Sequence, residues 1–540
     1  MFGFKKREPA TEAQAAPSQP DSAKDAPPYV QNVAEDQLEN TGKNTWERIW
    51  PAMACGAGLF SDGYVNNVIG SVSTMLSMIY GAAYTDSSAK KNVSAITFAG
   101  TVVGQLIFGY TSDKWSRKNS LLVSTIILIV FTALAAGSYG AGGSTQGMFA
   151  ALTAYRFLAG IGIGGEYPAG SVACAESTGE LKAGTRNRWF ILFTNVMIDW
   201  GFVIGAFVPY LLVVICTSDH LRAAWRISLG LGVVPPMVLL LLRFQLQEPE
   251  EYKKESMKNV RIPYLLVIKY YGWRLFVVSA IWFMYDFSTY SFGIYSSTIL
   301  ANIYGASAPL TTTFGWNTVI NLFYIPGCML GSFYSDKVGP RYALASGVFA
   351  QAIVGFIMAG LYPTLAKPVN VAAFAIVYGI FLSLGELGPG DNIGLVASKT
   401  CATGVRGQYY AIAAATGKIG AFVGTYIFPY IEKAGGEGTA ASAQYPFYVS
   451  GALCMLSAVL ALFCLPDIGQ DTITKEDASF RTYLSSQGWN VSQLGLLTGE
   501  SVQSGGGAAG DAAGDAAGDA AGDAAGDAAV IVKQENEDKP

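Results

Sequence analysis

The sequence predicts an all-α membrane protein of twelve transmembrane helices in two six-helix halves, and three observations support this. The chain of 540 residues is 51% hydrophobic and only 14% charged, against about 25% charged in soluble domains. Apolar stretches long enough to cross a bilayer recur from about residue 48 to 465. The triplet SDK recurs at 112–114 and 335–337, after the second and the eighth stretch. An element repeated at the same place in each half marks duplication of a six-helix unit, as in twelve-span transporters.

Residues 1–45 form a polar tail rich in Pro, Ala and Gln without a signal-peptide core, so the first span serves as its own insertion signal. Phe2 stands where myristoylation needs glycine. The first half, 46–243, holds spans at about 48–72, 93–112, 119–139, 148–174, 188–214 and 226–243. A basic central loop follows at 244–272, expected to be a partly helical interfacial segment. The second half, 273–465, holds spans at about 273–300, 312–334, 342–362, 370–397, 407–431 and 446–465. Residues 466–540 read as a cytoplasmic tail. Its AAGD repeats at 508–529 have too few large apolar side chains to build a core.

Loop charge sets the orientation. With the N-terminus inside, inner loops carry seventeen Lys and Arg and outer loops six, which predicts both termini in the cytoplasm. The seven cysteines are dispersed, mostly within spans, and read as small apolar residues. No metal spacing or cofactor motif is visible, and no nucleophile–base pair that would suggest an enzyme.

Two basic residues fall inside apolar stretches, Arg156 and Lys418, and the rest are assigned to tails and loops. A lysine at mid-span costs about 3 kcal/mol on insertion scales, so Lys418 is expected to hold an anion or a carboxylate. Carboxylates lie within spans at Asp62, Glu166, Asp199, Asp286, Glu386 and Asp391, and each is expected to face a central cavity. The single histidine, His220, falls in an outer loop, which leaves proton carriage to carboxyls. Trp282, Asp286 and Tyr290 are spaced to share one helix face. Tyr167 follows Glu166, and Asn392 follows Asp391. Amides, phenols and an indole beside charges suit a phosphorylated or polyhydroxylated ligand. The competing reading is helix-packing salt bridges, with equal weight for Arg156 and Asp199.

The inner turns hold Asp113 with Arg117 and Asp336 with Arg341. These acids can receive nearby cations and an adjacent helix N-terminus, a gating arrangement. RFLAGIGIGG, 156–165, spaces small residues for close helix packing. Pro168, Pro389 and the stretch GELGPGDN break apolar segments, which membrane depth tolerates only beside a cavity or in the protein interior.

GYTSDKWSRK (109–118), YRFLAGIGIGGEYP (155–168), QEPEEY (247–252) and RGQYYAIAAATGK (406–418) together resemble the major facilitator superfamily, specifically its phosphate:proton symporter branch, over about residues 46–466. The resemblance implies that Asp62 and Glu166 are linked to proton movement. It also implies that Trp282, Asp286, Tyr290 and Lys418 help bind phosphate. The chain departs from that branch by Glu166 where Asp is usual, by Met197 where Gln is usual, and by the added Asp391 in GPGDN. GELGPGDNIGLVASKT and FSDGYVNN are similar to fungal glycerophosphoinositol permeases.

That similarity implies a monomeric, proton-coupled plasma-membrane symporter for a glycerophosphodiester, foremost glycerophosphoinositol, with no nucleic-acid partner. Lys418 would hold the phosphodiester. Tyr167, Trp282, Tyr290, Asp391 and Asn392 would surround the glycerol and polyol, while Asp62, Glu166 and Asp286 would couple the proton. Glycerophosphocholine, inorganic phosphate and a non-transporting receptor remain the alternatives.

Overall fold

Hydrocarbon offers the backbone no hydrogen-bond partner, so each crossing must satisfy its own amides as a helix. The computed structural model describes residues 45–495 except 183, 305–308 and 437–438. The N-terminal tail (1–44) and the AAGD repeats lie outside the described residues.

The twelve expected stretches each fall in a helical segment. In the first half, α1 runs over Thr45–Gly56 and Phe60–Tyr80, joined by one tight turn at Ala57–Leu59. It is followed by α2 (Ala89–Lys114), α3 (Arg117–Ala136), α4 (Thr145–Ser177), α5 (Arg186–Cys216) and α6 (Leu221–Arg243). In the second half, α7 is Tyr264–Tyr304, and α8 is Leu310–Leu322 continued by Tyr324–Val338. Then come α9 (Pro340–Leu365), α10 (Pro368–Lys399), α11 (Thr403–Ala434) and α12 (Ala440–Cys464). Ten of these segments are long and apolar enough to cross a membrane uninterrupted. Leu241, Ile215, Leu330 and Phe463 face outward and exposed, on a surface that lipid tolerates and water does not.

Two expectations about connecting segments need correction. The central loop is shorter than 244–272, because α7 begins at Tyr264 and a short helix, Glu250–Glu255, occupies part of the remainder. The chain beyond 466 is also not all tail. Residues Thr472–Ser486 form a further helix, α13, whose Phe480 and Leu484 are buried with Tyr271, Tyr409 and Met257.

Small residues set the closest helix approaches. A methyl group on Gly160 would lie 2.2 Å from the Thr97 carbonyl oxygen, and one on Gly164 would lie 2.5 Å from that of Thr101. Only glycine therefore lets α2 and α4 pack at this distance. The proline-containing breaks become π-helical turns at Glu166–Ser171 in α4 and Glu386–Gly390 in α10. They occupy equivalent places in the two halves, and such turns frequently mark functional sites.

Candidate substrate site and gates

Lys418 stands in α11, one residue beyond Gly417. A methyl group on Gly417 would lie 2.4 Å from the Trp282 ring, so the glycine lets that indole lie against α11. Lys418 is 1% exposed. Its Nζ lies 3.3 Å from Asp62 Oδ2 on α1 and 3.5 Å from Asp286 Oδ2 on α7. The ammonium also donates to the Tyr290 hydroxyl and sits 3.8 Å from the Tyr290 ring centroid and 4.9 Å from that of Tyr167. Asp62 Oδ2 accepts from Tyr167 at 2.5 Å and from Tyr290 at 2.7 Å, and Asp62 Oδ1 accepts from Asn66 at 2.7 Å. One cation from the second half is thus held by acids and phenols from both halves.

These groups border a small cavity of about 50 Å³ lined by Lys418, Asp286, Tyr167, Trp282, Glu386 and Asp391, among others. Asp62 lies just behind, bonded to Tyr167, Tyr290 and Lys418. A second polar cluster closes the other side. Asn195 Nδ2 on α5 is 3.0 Å from both Glu386 Oε2 and Asp391 Oδ1, and 3.3 Å from Asp199 Oδ2. Tyr285 donates to Glu386 Oε1 at 2.8 Å.

Several placements differ from expectation. Glu166 does not line the cavity. Its carboxylate meets Arg243 in a bidentate pair, 2.6 Å at each oxygen, with Thr125 at 3.3 Å. Arg243 had read as a loop charge because it ends α6, yet it is 0% exposed. Arg117, Lys399 and Arg406 are buried as well, at helix ends beside the loops to which they are assigned. Asn392 also faces away from the cavity. It accepts from Ser335 at 2.5 Å and donates to the Gly388 carbonyl at 2.7 Å, a structural role between α8 and α10. Arg156 has no carboxylate partner among the described residues, but binds the Val93 and Val65 carbonyls at 2.8 and 3.3 Å.

The face that carries the two SDK turns, predicted to be the inner one, is closed by ion networks that join the halves. Asp113 accepts from Arg117 at 2.5 Å and from the backbone amides of Gly407 and Gln408 at 3.0 and 2.8 Å. The helix start it caps is therefore not that of its own turn but that of α11, in the other half. Glu176 accepts from Arg117 at 3.0 Å and from Arg406 at 3.1 Å, and α13 adds Asp477, which accepts from the Thr403 amide at 2.6 Å. The second copy of the motif is looser. Asp336 meets Arg188 at 3.8 Å and Gln470 at 3.0 Å. Arg341 pairs with Asp467 at 2.6 Å, a residue just beyond α12 in its own half, rather than reaching across. Toward the outer face, Asn67 donates to Asn321 at 2.9 Å and Lys91 to Tyr430 at 2.8 Å, again bridging the halves.

Sequence reading missed Asn195, Tyr285, Arg243, Glu176, Arg406 and Asp477 as members of these clusters. Tyr285 and Asn195 carry no charge to flag them. Arg243, Glu176 and Arg406 sit at helix ends, where a charge is unremarkable until tertiary packing buries it, and Asp477 lies in a helix within the stretch expected to be tail.

A two-fold repeated helical bundle, with buried charges beside a cavity between its halves and ion networks joining the halves across one face, defines a membrane transporter. The chain belongs to the sugar (and other) transporter family, whose pattern matches residues 50–253 and 245–480, within the major facilitator superfamily; it is a transporter and not an enzyme. It is 50% identical to a glycerophosphocholine permease of Candida albicans, covering 86% of this chain and 87% of that protein. It is also 50% identical to the major glycerophosphoinositol permease of that organism, covering 83% and 84%. Identity to glycerophosphoinositol transporter 1 of Saccharomyces cerevisiae is 33%, covering 84% and 86%. Among solved structures, the proton:xylose symporter XylE bound to 6-bromo-6-deoxy-D-glucose superposes with a TM-score of 0.69 at 17% identity, covering 81% of this chain and all of that one. That likeness concerns the fold.

Proposed function

We propose that the protein is a proton-coupled symporter that imports glycerophosphodiesters across the plasma membrane by alternating access, with Lys418 as the phosphodiester-binding group. The observation that carries this is the buried Lys418, shared between Asp62 and Asp286 at the edge of a cavity between the halves. The relatives named above divide between choline and inositol esters, and the phosphodiester is common to both.

Charge balance supports proton coupling. Lys418, Asp62 and Asp286 form one positive and two negative groups in a buried site. A phosphodiester monoanion that takes Lys418 from the acids adds a further negative charge. Protonation of Asp62 or Asp286 removes it, so substrate and proton favour each other's binding. Glu166, held by Arg243, supports the packing of α4 against α6, and the reading gives it no part in contacting substrate. The inositol expectation rested on Asp391 and Asn392 together; Asp391 borders the cavity and Asn392 does not. The cytoplasmic placement of both termini follows from the loop charges, and the monomeric state is part of the same proposal.

The test is uptake of labelled glycerophosphodiester into proteoliposomes under an imposed pH gradient. Accumulation that follows an acid-outside gradient and collapses with a protonophore is the expected result. Binding without accumulation would instead indicate a receptor. Inorganic phosphate competing as well as the diesters would indicate a phosphate carrier.

A further inference from the structure

Glu166 and Glu386 open the equivalent π turns of α4 and α10, but only one of them has a cation. Glu166 receives Arg243, the last residue of α6. In the second half, α12 ends in ALFC, 461–464, and supplies none. Lys418 has its own counterpart in Asn195, 223 residues earlier, the same offset that separates the SDK motifs. Three carboxyls, those of Asp199, Glu386 and Asp391, therefore gather around a neutral amide. All three are at most 2% exposed, and no described Lys, Arg or His pairs with them. The amide has two hydrogens for three carboxyls, Asp391 Oδ2 is buried without a donor, and Asp199 has beside it the weakly donating Cys328 thiol.

Carboxyls gathered this closely at such depth must either hold protons or meet a cation from outside the protein, and a cationic group on the substrate can displace those protons. Glu386 and Asp391 border the same cavity as Lys418. Consecutive residues of α7 join the two poles: Tyr285 bonds Glu386 and Asp286 pairs with Lys418. Lys418, Asp286, Tyr285, Glu386 and Asp391 all line that one cavity, so an anion-binding pole and an acidic pole face the same space. Trp282, Tyr285 and Tyr410 line the space and offer aromatic faces to a cation. A polyol would satisfy acceptor oxygens there but leave their charge in place.

We propose that Glu386 and Asp391, backed by Asp199, form a subsite for a cationic headgroup, so that the preferred substrate is a zwitterionic glycerophosphodiester carrying a quaternary or primary ammonium. This rests on the phosphodiester reading above and adds the headgroup to it.

The experiment is uptake of labelled glycerophosphocholine by the full chain in proteoliposomes, in competition with unlabelled glycerophosphocholine, glycerophosphoethanolamine and glycerophosphoinositol. The two ammonium esters are expected to compete at concentrations about tenfold lower than the inositol ester. Glu386→Gln and Asp391→Asn, each close in shape to the original, should each reduce that ratio about tenfold. Equal or better competition by the inositol ester in the unmodified protein overturns the subsite while leaving the phosphodiester reading intact, and needs no variant to fold. A ratio unchanged in both variants also overturns it. If, with that ratio intact, acid-driven accumulation is lost, the cluster is a proton site instead. Competition by inorganic phosphate alone, with none by any diester, overturns both readings.

Discussion

Lys418 answers to two acids, and that fixes what its loss should do. Lys418→Ala is expected to abolish uptake while the protein still inserts, because the phosphodiester loses its cation whereas a buried lysine no longer has to enter the bilayer. Lys418→Arg should restore only a fraction of the rate. A planar guanidinium cannot fit a pocket shaped by Tyr290 and Tyr167 around a compact ammonium. Labelled uptake, normalised to protein in the membrane, checks both. Near-normal uptake by the alanine variant would make Lys418 a structural residue.

Glu166 gives a different expectation at the same scale. Sequence reading placed it among the proton carriers, yet its two oxygens are engaged by Arg243. Removing either partner strands a buried charge, at a cost of about 3–5 kcal/mol. Glu166→Gln and Arg243→Gln should therefore each lower the thermal unfolding midpoint. The double variant should be less destabilised than the two effects added together. Additive losses in detergent-solubilised protein would show that the pair carries no coupling.

At the scale of elements, α13 belongs to the inner gate. Asp477 reaches back to Thr403 at the start of α11, Arg481 pairs with Glu255 at 2.8 Å, and Arg274 pairs with Glu476 at 2.9 Å. These contacts tie the end of the chain to α7, α11 and the linker between halves. Asp477→Ala should loosen the gate and expose Cys401, which is 0% exposed in the closed arrangement. Maleimide labelling of Cys401 is expected to speed up about tenfold, the effect of roughly 1.4 kcal/mol on an opening equilibrium. An unchanged labelling rate would mean α13 rests on the gate without holding it.

For the whole molecule, coupling requires that the charge of the central site decide which states can interconvert. Asp62→Asn removes one negative charge, so the phosphodiester no longer needs a proton to balance it. Counterflow exchange should persist, while net accumulation should stop following the pH gradient. Accumulation still driven by acid in this variant would shift the coupling role to Asp286. The polar contacts that seal the outer face are few, whereas the inner face is held by a network of buried ion pairs. The structure is thus closed on the face that holds Asp113, and opening on that face must break Asp113 away from the start of α11.

The sequence by itself determined the membrane helices, their duplication, and the identity of Lys418, Asp62 and Asp286 as interior groups. A charge far from both ends of an apolar stretch can only face protein or water, and helical periodicity puts Trp282, Asp286 and Tyr290 on one face. Tertiary structure alone decided which partner each charge meets. Arg243 looks like a loop residue until α6 packs against α4 and hands it to Glu166. Asn195, a single uncharged amide, gains meaning only when α5 brings it to three carboxyls of two helices. Asn392 turns from the cavity because α8 offers Ser335 on its other side, and 472–486 fold because the inner ends of α7 and α11 supply an apolar floor. Spacing along a chain fixes which side chains share a face of one helix. Which neighbour that face meets depends on the packing of the others, and the pairing of buried charges is settled there.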